Sequence, residues 1–167
     1  MRVFIGIDNG VTGSIGVIQE DGTYNLFKMP TKSQLNYTKS RQNVTRVDGF
    51  KLSNILTAYV NHNVSIAIER PFVNPGMFKA TLSAVRCLEA TITILESFDF
   101  PYEYLDSRKW QSLLLPKGCE GAELKSASLD IAKRLFPKID FDGLRIKDGD
   151  GILIAEYLRR SYVLKEE

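Results

Sequence analysis

The fold of this protein is decided close to its amino terminus, by the stretch Val3-Phe4-Ile5-Gly6-Ile7-Asp8 and the glycine-rich turn that follows it. The stretch is apolar, rich in β-branched residues, and ends abruptly in a carboxylate. This pattern predicts a strand that is buried on both faces and carries Asp8 at its end. A second apolar stretch follows the turn, so the two together predict a β-hairpin.

Asp8 has two interpretations at this point. A charge at the end of a buried strand is costly unless something pairs with it, which favours a functional role. An aspartate also caps backbone N–H groups in tight turns, and that role alone is sufficient to explain Asp8. The rest of the chain has to decide between them.

Composition limits the class of protein. The chain has 167 residues, 44% of them hydrophobic and 25% charged, which predicts one globular domain over residues 1–167. Its net charge of +2 allows a nucleic-acid partner, but only through a local basic patch. No apolar run approaches the ~20 residues of a membrane span, and no signal peptide is recognisable. Cys87 and Cys119 lack any disulfide framework, so we expect reduced thiols in a cytoplasmic protein with no membrane partner.

Apolar periodicity divides most of the remaining chain into strands and helices. Further strands are predicted over residues 23–29, 64–69 and 101–105, and helices over 47–61, 77–97, 107–115, 122–136 and 151–163. The order predicts an α/β fold with a central mixed five-stranded sheet, three antiparallel strands and then two parallel ones, flanked by helices. The helix over 77–97 is apolar on two faces, so we expect one face on the sheet and the other against a subunit.

Residues 28–51 have no clear periodicity, and we expect an irregular loop there. Six basic residues, among them Lys39 and Arg41, accompany a single acid, Asp48. One interpretation is a mobile loop that contacts DNA phosphates. The other is a solvated polar loop without a partner.

Carboxylates recur where the predicted elements meet. Asp8 and Glu69 each end a buried strand, and if these strands are parallel neighbours, both lie at the sheet edge where α/β proteins bind ligands. Asp150 lies one turn before Ile154 on the inward side of the last helix. Asp148 and Asp150 are also explained by the helix dipole alone. Clustered carboxylates repel unless they hold divalent cations, so the cluster predicts Mg²⁺ or Mn²⁺, two per site, and phosphodiester hydrolysis.

Three stretches carry a resemblance to a known family. They are Gly6-Ile7-Asp8-Asn9-Gly10 continuing through Gly13 and Gly16, then Ile66-Ala67-Ile68-Glu69-Arg70-Pro71-Phe72, and Lys147-Asp148-Gly149-Asp150-Gly151-Ile152-Leu153-Ile154-Ala155. In order and spacing they resemble the RuvC-type Holliday junction resolvases of the ribonuclease H-like superfamily, in a phage or poxvirus-like branch. The resemblance implies a ribonuclease H-like fold and a homodimer that cuts opposing strands of a four-way DNA junction. It implies Asp8, Glu69 and Asp150 as metal ligands.

The resemblance departs from the family pattern at one position. The family usually has two acids three residues apart near the last helix, but Lys147 stands three before Asp150. Asp148 stands two before it, a spacing that does not share a helix face. Asp148 therefore joins the catalytic and metal-binding set only if it precedes the helix proper.

Lys125, Lys109 and Phe72 match further positions of the family, and Arg70 lies within one of the stretches quoted above. Lys125 resembles the family's active-site lysine, which would stabilise phosphate charge in the transition state. Lys109 and Arg70 are the expected DNA contacts, and Phe72 resembles an aromatic residue that stacks on bases at the junction centre. The alternatives are solvated surface lysines and a phenylalanine in the core.

Three other functions stay open at this point. The turn after Asp8 also resembles the phosphate loop of actin-like ATPases and sugar kinases, but the chain is short for a second nucleotide-binding lobe, so no nucleotide cofactor is expected. A non-catalytic junction-binding scaffold would keep the fold without the cutting. A nuclease for RNA–DNA hybrids would keep the chemistry with another substrate. The long basic segment leaves open whether forks and flaps are cut as well.

Overall fold

A computed structural model describes residues 1–37, 39 and 41–166 of the protein, the last two by their backbone only. The strands in this part of the chain are β1 (Arg2–Ile7), β2 (Ser14–Gln19), β3 (Tyr24–Lys28), β4 (Thr31–Leu35), β5 (Asn43–Val47), β6 (Asn63–Glu69) and β7 (Tyr102–Leu105). The α-helices are α1 (Gly49–Thr57), α2 (Phe78–Ser97), α3 (Ser107–Leu114), α4 (Ala122–Leu135), α5 (Phe141–Leu144) and α6 (Asp150–Glu166).

Five strands form the central sheet in the order β3-β2-β1-β6-β7. β1, β2 and β3 are antiparallel neighbours, and β6 and β7 extend the sheet in parallel with β1. The predicted mixed sheet is therefore confirmed. Ile7 pairs with Ile68 in the register of β1 and β6, so Asp8 and Glu69 come next on neighbouring strands at the same edge.

The core has two layers, one on each face of the sheet. α1 and α2 cover one face, where Val3, Ile5 and Ile7 of β1 are completely buried. α3, α4 and α6 cover the other face, around Trp110 and the first turns of α6. β1 is buried on both faces, as its apolar sequence predicts.

α6 lies unusually close to the sheet at two glycines. Gly6 and Gly16 pair across β1 and β2, and a Cβ on either would overlap the backbone at the start of α6. The Gly151 N–H donates to Ser14 Oγ at 3.2 Å across this contact. Because these glycines have no side chain, α6 packs close enough to the sheet to place Asp150, its first residue, at the edge where β1 and β6 end.

The prediction of an irregular loop over residues 28–51 is wrong. β4 and β5 pair as a separate two-stranded antiparallel sheet, which we call the arm (residues 31–47). Positions 38 and 40 of the predicted loop lie outside the described residues. α1 begins later than predicted because Val47 still belongs to β5, and Asp48 then caps the helix by accepting from the Lys51 N–H at 3.4 Å.

α2 packs partly on the sheet, as predicted, and the predicted contact of its other side with a subunit stays a prediction. Its carboxyl half is buried on the sheet, at Cys87, Thr91, Ile92 and Leu95. Its amino half leaves apolar side chains exposed, at Phe78, Leu82 and Val85. No helix in the described part of the chain is long and apolar enough to cross a membrane.

Candidate metal centre

Three carboxylates meet at the edge of the sheet. Asp8, Asp148 and Asp150 each place an oxygen within 4.8 Å of the others. Asp8 follows β1, Asp150 is the first residue of α6, and Asp148 lies just before that helix. A position before the helix is the condition on which Asp148 is expected to join the metal-binding residues. A cluster of carboxylate oxygens without nitrogen or sulfur donors fits Mg²⁺ or Mn²⁺.

Glu69 lies beside Asp8, held by a tryptophan that sequence reasoning did not assign to the site. The indole Nε1–H of Trp110 donates to Glu69 Oε1 at 3.0 Å, and Trp110 is 0% exposed. Burial raises the pKa of Glu69, and the hydrogen bonds from Trp110 and Asp8 lower it. Trp110 thus fixes one oxygen of this carboxylate from inside the core.

Asp8 and Asp150 hold protons more tightly than ordinary aspartates. Burial raises the pKa of Asp8 well above its usual range, and the charges of Glu69, Asp150 and Asp148 add to the effect. Burial, followed by the charge of Asp148, raises the pKa of Asp150 to about 7. Several carboxylates are therefore concentrated at this edge, where the exposed Lys125 offsets their charge only in part, and a bound divalent cation would relieve the remaining repulsion.

A serine on α4 orients Asp150, a second contact that sequence reasoning missed. Ser128 Oγ donates to Asp150 Oδ1, and Ser128 Oγ in turn accepts the Gly149 N–H at 3.0 Å. Ser128 is buried, so it holds the entry to α6 against α4. A buried polar residue in an otherwise apolar helix face was the available signal, since such groups need a partner.

Lys125 reaches the same edge from the first turns of α4. Its Nζ lies 3.9 Å from Asp148 Oδ2, and its side chain is 70% exposed. The charge of Lys125 lowers the pKa of both Asp8 and Asp150. An exposed ammonium beside the carboxylates is free to turn towards an anionic substrate.

A groove of about 380 Å³ runs from the carboxylates along the start of α2. Glu69, Asp150, Arg70 and Phe72 are among the residues that line it. Phe72 is 80% exposed, so the alternative of a core phenylalanine is wrong. Lys109 is exposed on α3 and is not among the lining residues.

Lys39 and Arg41 lie on the arm rather than in the carboxylate cluster. Both are exposed, and Arg41 has a positive φ of 47°. Both lie in the connection between β4 and β5, and their role as DNA contacts stays a prediction.

Comparison with known proteins establishes the fold of this chain. No protein-family model matches the sequence, and no curated protein matches it. Among solved structures, Thermus thermophilus RuvC in complex with a Holliday junction substrate matches with a TM-score of 0.60 and 14% identity, covering 94% of this chain and 92% of that one. A second Thermus thermophilus RuvC structure matches with a TM-score of 0.55, also at 14% identity, covering 95% and 96%. The chain therefore has the RuvC-like, ribonuclease H-like fold that its sequence predicts.

Proposed function

We propose that the protein is a metal-dependent endonuclease that cuts branched DNA, and four-way junctions in particular. The observation that carries this proposal is the trio Asp8, Asp148 and Asp150, whose oxygens meet at the carboxyl edge of a RuvC-like sheet. The similar Thermus thermophilus protein is described with a Holliday junction as its substrate. A phage or poxvirus-like origin and a cytoplasmic location stay predictions.

Each residue of the site has a distinct part in this proposal. Asp8, Asp148 and Asp150, together with Glu69, would hold two Mg²⁺ or Mn²⁺ ions. Such ions supply the Lewis acidity for phosphodiester hydrolysis. Trp110 keeps Glu69 in place, and Ser128 does the same for Asp150. Lys125 contributes positive charge beside the reacting phosphate, where charge develops in the transition state.

DNA contacts follow from exposure and position. Phe72 stands exposed at the rim of the groove, where its ring is accessible for stacking on a base. Arg70 lines the same groove, and Lys109, Lys39 and Arg41 present exposed charges to phosphates further from the cut.

A homodimer is part of the proposal because two cuts on opposing strands need two sites. The exposed apolar side chains Phe78, Leu82 and Val85 on the amino half of α2 are the surface that would associate. Sedimentation of wild type and Leu82→Asp tests this, and we expect a dimer that the charge dissociates. A wild-type monomer would contradict the dimer while leaving the nuclease chemistry untouched.

A cleavage assay tests the activity itself. Purified protein is offered a four-way junction, a fork, a linear duplex and an RNA–DNA hybrid, each with Mg²⁺, Mn²⁺ or EDTA. We expect metal-dependent nicks at the branch of the junction, an intact duplex, and no cutting in EDTA. Asp150→Asn should lose the activity, and Asp130→Asn, which removes an exposed charge from α4, should keep it.

Other outcomes separate the alternatives. Tight junction binding without cutting in either metal would support a scaffold. Cutting confined to the RNA–DNA hybrid would identify the hybrid, rather than branched DNA, as the substrate. A thermal shift with ATP would favour the nucleotide-binding alternative, because a ligand that binds only the native state stabilises it.

A further inference from the structure

The arm has a larger net positive charge than the whole chain. Residues 31–47 contain four of the 22 lysines and arginines in the chain. They contain none of its 20 aspartates and glutamates. The arm therefore carries a charge of +4 and the rest of the protein −2. A protein that is nearly neutral overall thus presents a strongly basic hairpin.

Two of these charges face each other across the strands. Lys32 of β4 pairs with Arg46 of β5, so both side chains leave the same face of the hairpin. Both are exposed, and among the described residues neither has an ion pair with a carboxylate. Like charges directly opposite in a sheet are destabilising, so this pair costs the free protein stability. An anion bound across the two side chains would remove that cost.

A groove of about 550 Å³ lies between the arm and α2, beside the place where β5 packs on this helix. Arg46 and Tyr37 line it from the arm, and Arg86 and Glu89 from α2. The guanidinium of Arg86 lies 5.6 Å from the centre of the Tyr37 ring, and Tyr37 is 85% exposed. Guanidinium groups next to an open aromatic face suit a nucleic-acid strand, which offers phosphates and base faces together.

The arm starts at the same sheet edge as the carboxylates. Lys28, the last residue of β3, pairs with Ser14, and the Met29 N–H donates to Gly13 O at 2.9 Å, in the turn that follows Asp8. Strands of five residues extend ~17 Å from that point. A DNA molecule positioned at the carboxylates is therefore within reach of the arm.

We propose that the arm is a second DNA-binding element, which holds the phosphate backbone of a DNA branch beside the cut through Lys32, Arg46 and Arg86. The inference rests on the proposed function and adds a substrate-holding surface outside the metal centre. DNA is a better occupant of the groove than a second copy of the chain. The exposed amino half of α2, residues 78–87, is apolar at Phe78, Leu82 and Val85 and carries no aspartate or glutamate, so a second copy docked through that surface would bring no acidic counterpart to the arm.

Salt dependence of DNA binding tests the inference. The variant Lys32→Gln/Arg46→Gln is compared with wild type on an uncut four-way junction in Ca²⁺, the DNA being recovered afterwards to verify that it is intact. The matched control is Arg134→Gln/Lys138→Gln, which also removes one arginine and one lysine. Both control residues are exposed, and Lys138 lies at the opposite sheet edge, where its N–H bonds to Tyr24 Oη.

We expect the arm variant to bind more weakly and to lower the slope of log K against log salt by ~2, since each lost phosphate contact removes ~1. Its melting temperature should match or exceed that of wild type because the repulsion between the two charges is gone. The control should behave as wild type in both measurements.

Three results would overturn the inference. If the arm variant binds with the slope of wild type while wild type binds and cuts junctions, the arm has no part in binding and the proposed function stands. If the substitutions change the sedimentation of the protein instead of its DNA affinity, the groove belongs to a contact between copies. If wild type binds no DNA, the inference and the proposed function both fall.

Discussion

The carboxylate cluster and the arm are opposites in charge, burial and support. The cluster is negative and packed between β1, β6 and α6, with neighbours from α3 and α4 that hold individual oxygens. The arm is positive, exposed on most of its residues, and attached to the body mainly where β5 packs on α2. Chemistry requires atoms held in a fixed geometry, whereas contact with a long, uniform phosphate backbone tolerates movement. Variants in the two regions should therefore fail in different ways.

The largest effect is expected at Asp8. Asp8→Asn removes one charge of the trio, so cleavage should fall by at least ~10²-fold, the scale for losing one electrostatic element of an active site. Junction affinity should stay or rise, because phosphates then approach with less repulsion. Single-turnover cleavage and binding in Ca²⁺ measure the two separately. Loss of binding together with cutting would show that Asp8 also serves recognition.

Trp110→Phe tests whether the core positions Glu69. The substitution keeps an aromatic ring but removes the N–H that bonds to Oε1, so Mn²⁺ affinity should fall ~10–100-fold, as when a group supporting a metal ligand is lost. A stability loss of about 1–3 kcal/mol should accompany it. Electron paramagnetic resonance of free Mn²⁺ during a titration measures the affinity.

Phe141→Leu is the matched control for that substitution. Phe141 is as buried as Trp110 and belongs to the same side of the core, but no hydrogen bond joins it to a carboxylate. It should lower the melting temperature and leave Mn²⁺ affinity unchanged. An equal loss of affinity in both variants would mean that Trp110 acts only through stability.

The raised pKa values predict how the metal-free protein responds to pH. Asp150 has a pKa of about 7 when folded and near its ordinary value of 3.8 when unfolded, so the native state binds more protons between these values. Stability should then fall as pH rises from about 4 to about 7. Asp8 and Glu69, whose pKa values are also raised, add to the same slope.

Thermal unfolding in EDTA at pH 5 and pH 7.5 measures this slope. Asp150→Asn should reduce the difference, and Mn²⁺ should raise the melting temperature most at the higher pH. A metal-free protein that is equally stable at both values would contradict the repulsion between these carboxylates.

The smallest effect on stability is expected on the arm. Lys32→Glu places opposite charges across β4 and β5, so the free energy of unfolding should rise by ~0.2–1 kcal/mol. DNA affinity should fall at the same time, because a phosphate contact becomes repulsive. Denaturant unfolding and a junction titration in Ca²⁺ measure the two. Lys138→Glu, at the far edge of the sheet, should have little effect on DNA binding.

Sequence alone was informative about the buried part of the molecule. The apolar runs that end in Asp8 and Glu69 predict parallel neighbours and one shared edge, because a strand buried on both faces has few places to lie. Spacing on the last helix pointed Asp150 inwards for the same reason. Buried strands and helices have a regular pattern of apolar residues, and the sequences of β1, β6 and α6 show such a pattern.

Only the tertiary structure decided the rest. The strands of the arm are short and mostly exposed, so their sequence shows no apolar alternation, and the contact of β5 with α2 joins segments that are distant in the chain. Trp110 and Ser128 reach Glu69 and Asp150 across 41 and 22 residues of chain, contacts that no local pattern records. The sequence therefore predicted which carboxylates lie at the sheet edge. Trp110 and Ser128, which hold two of these carboxylates, and the basic arm became apparent only when distant segments were seen packed together.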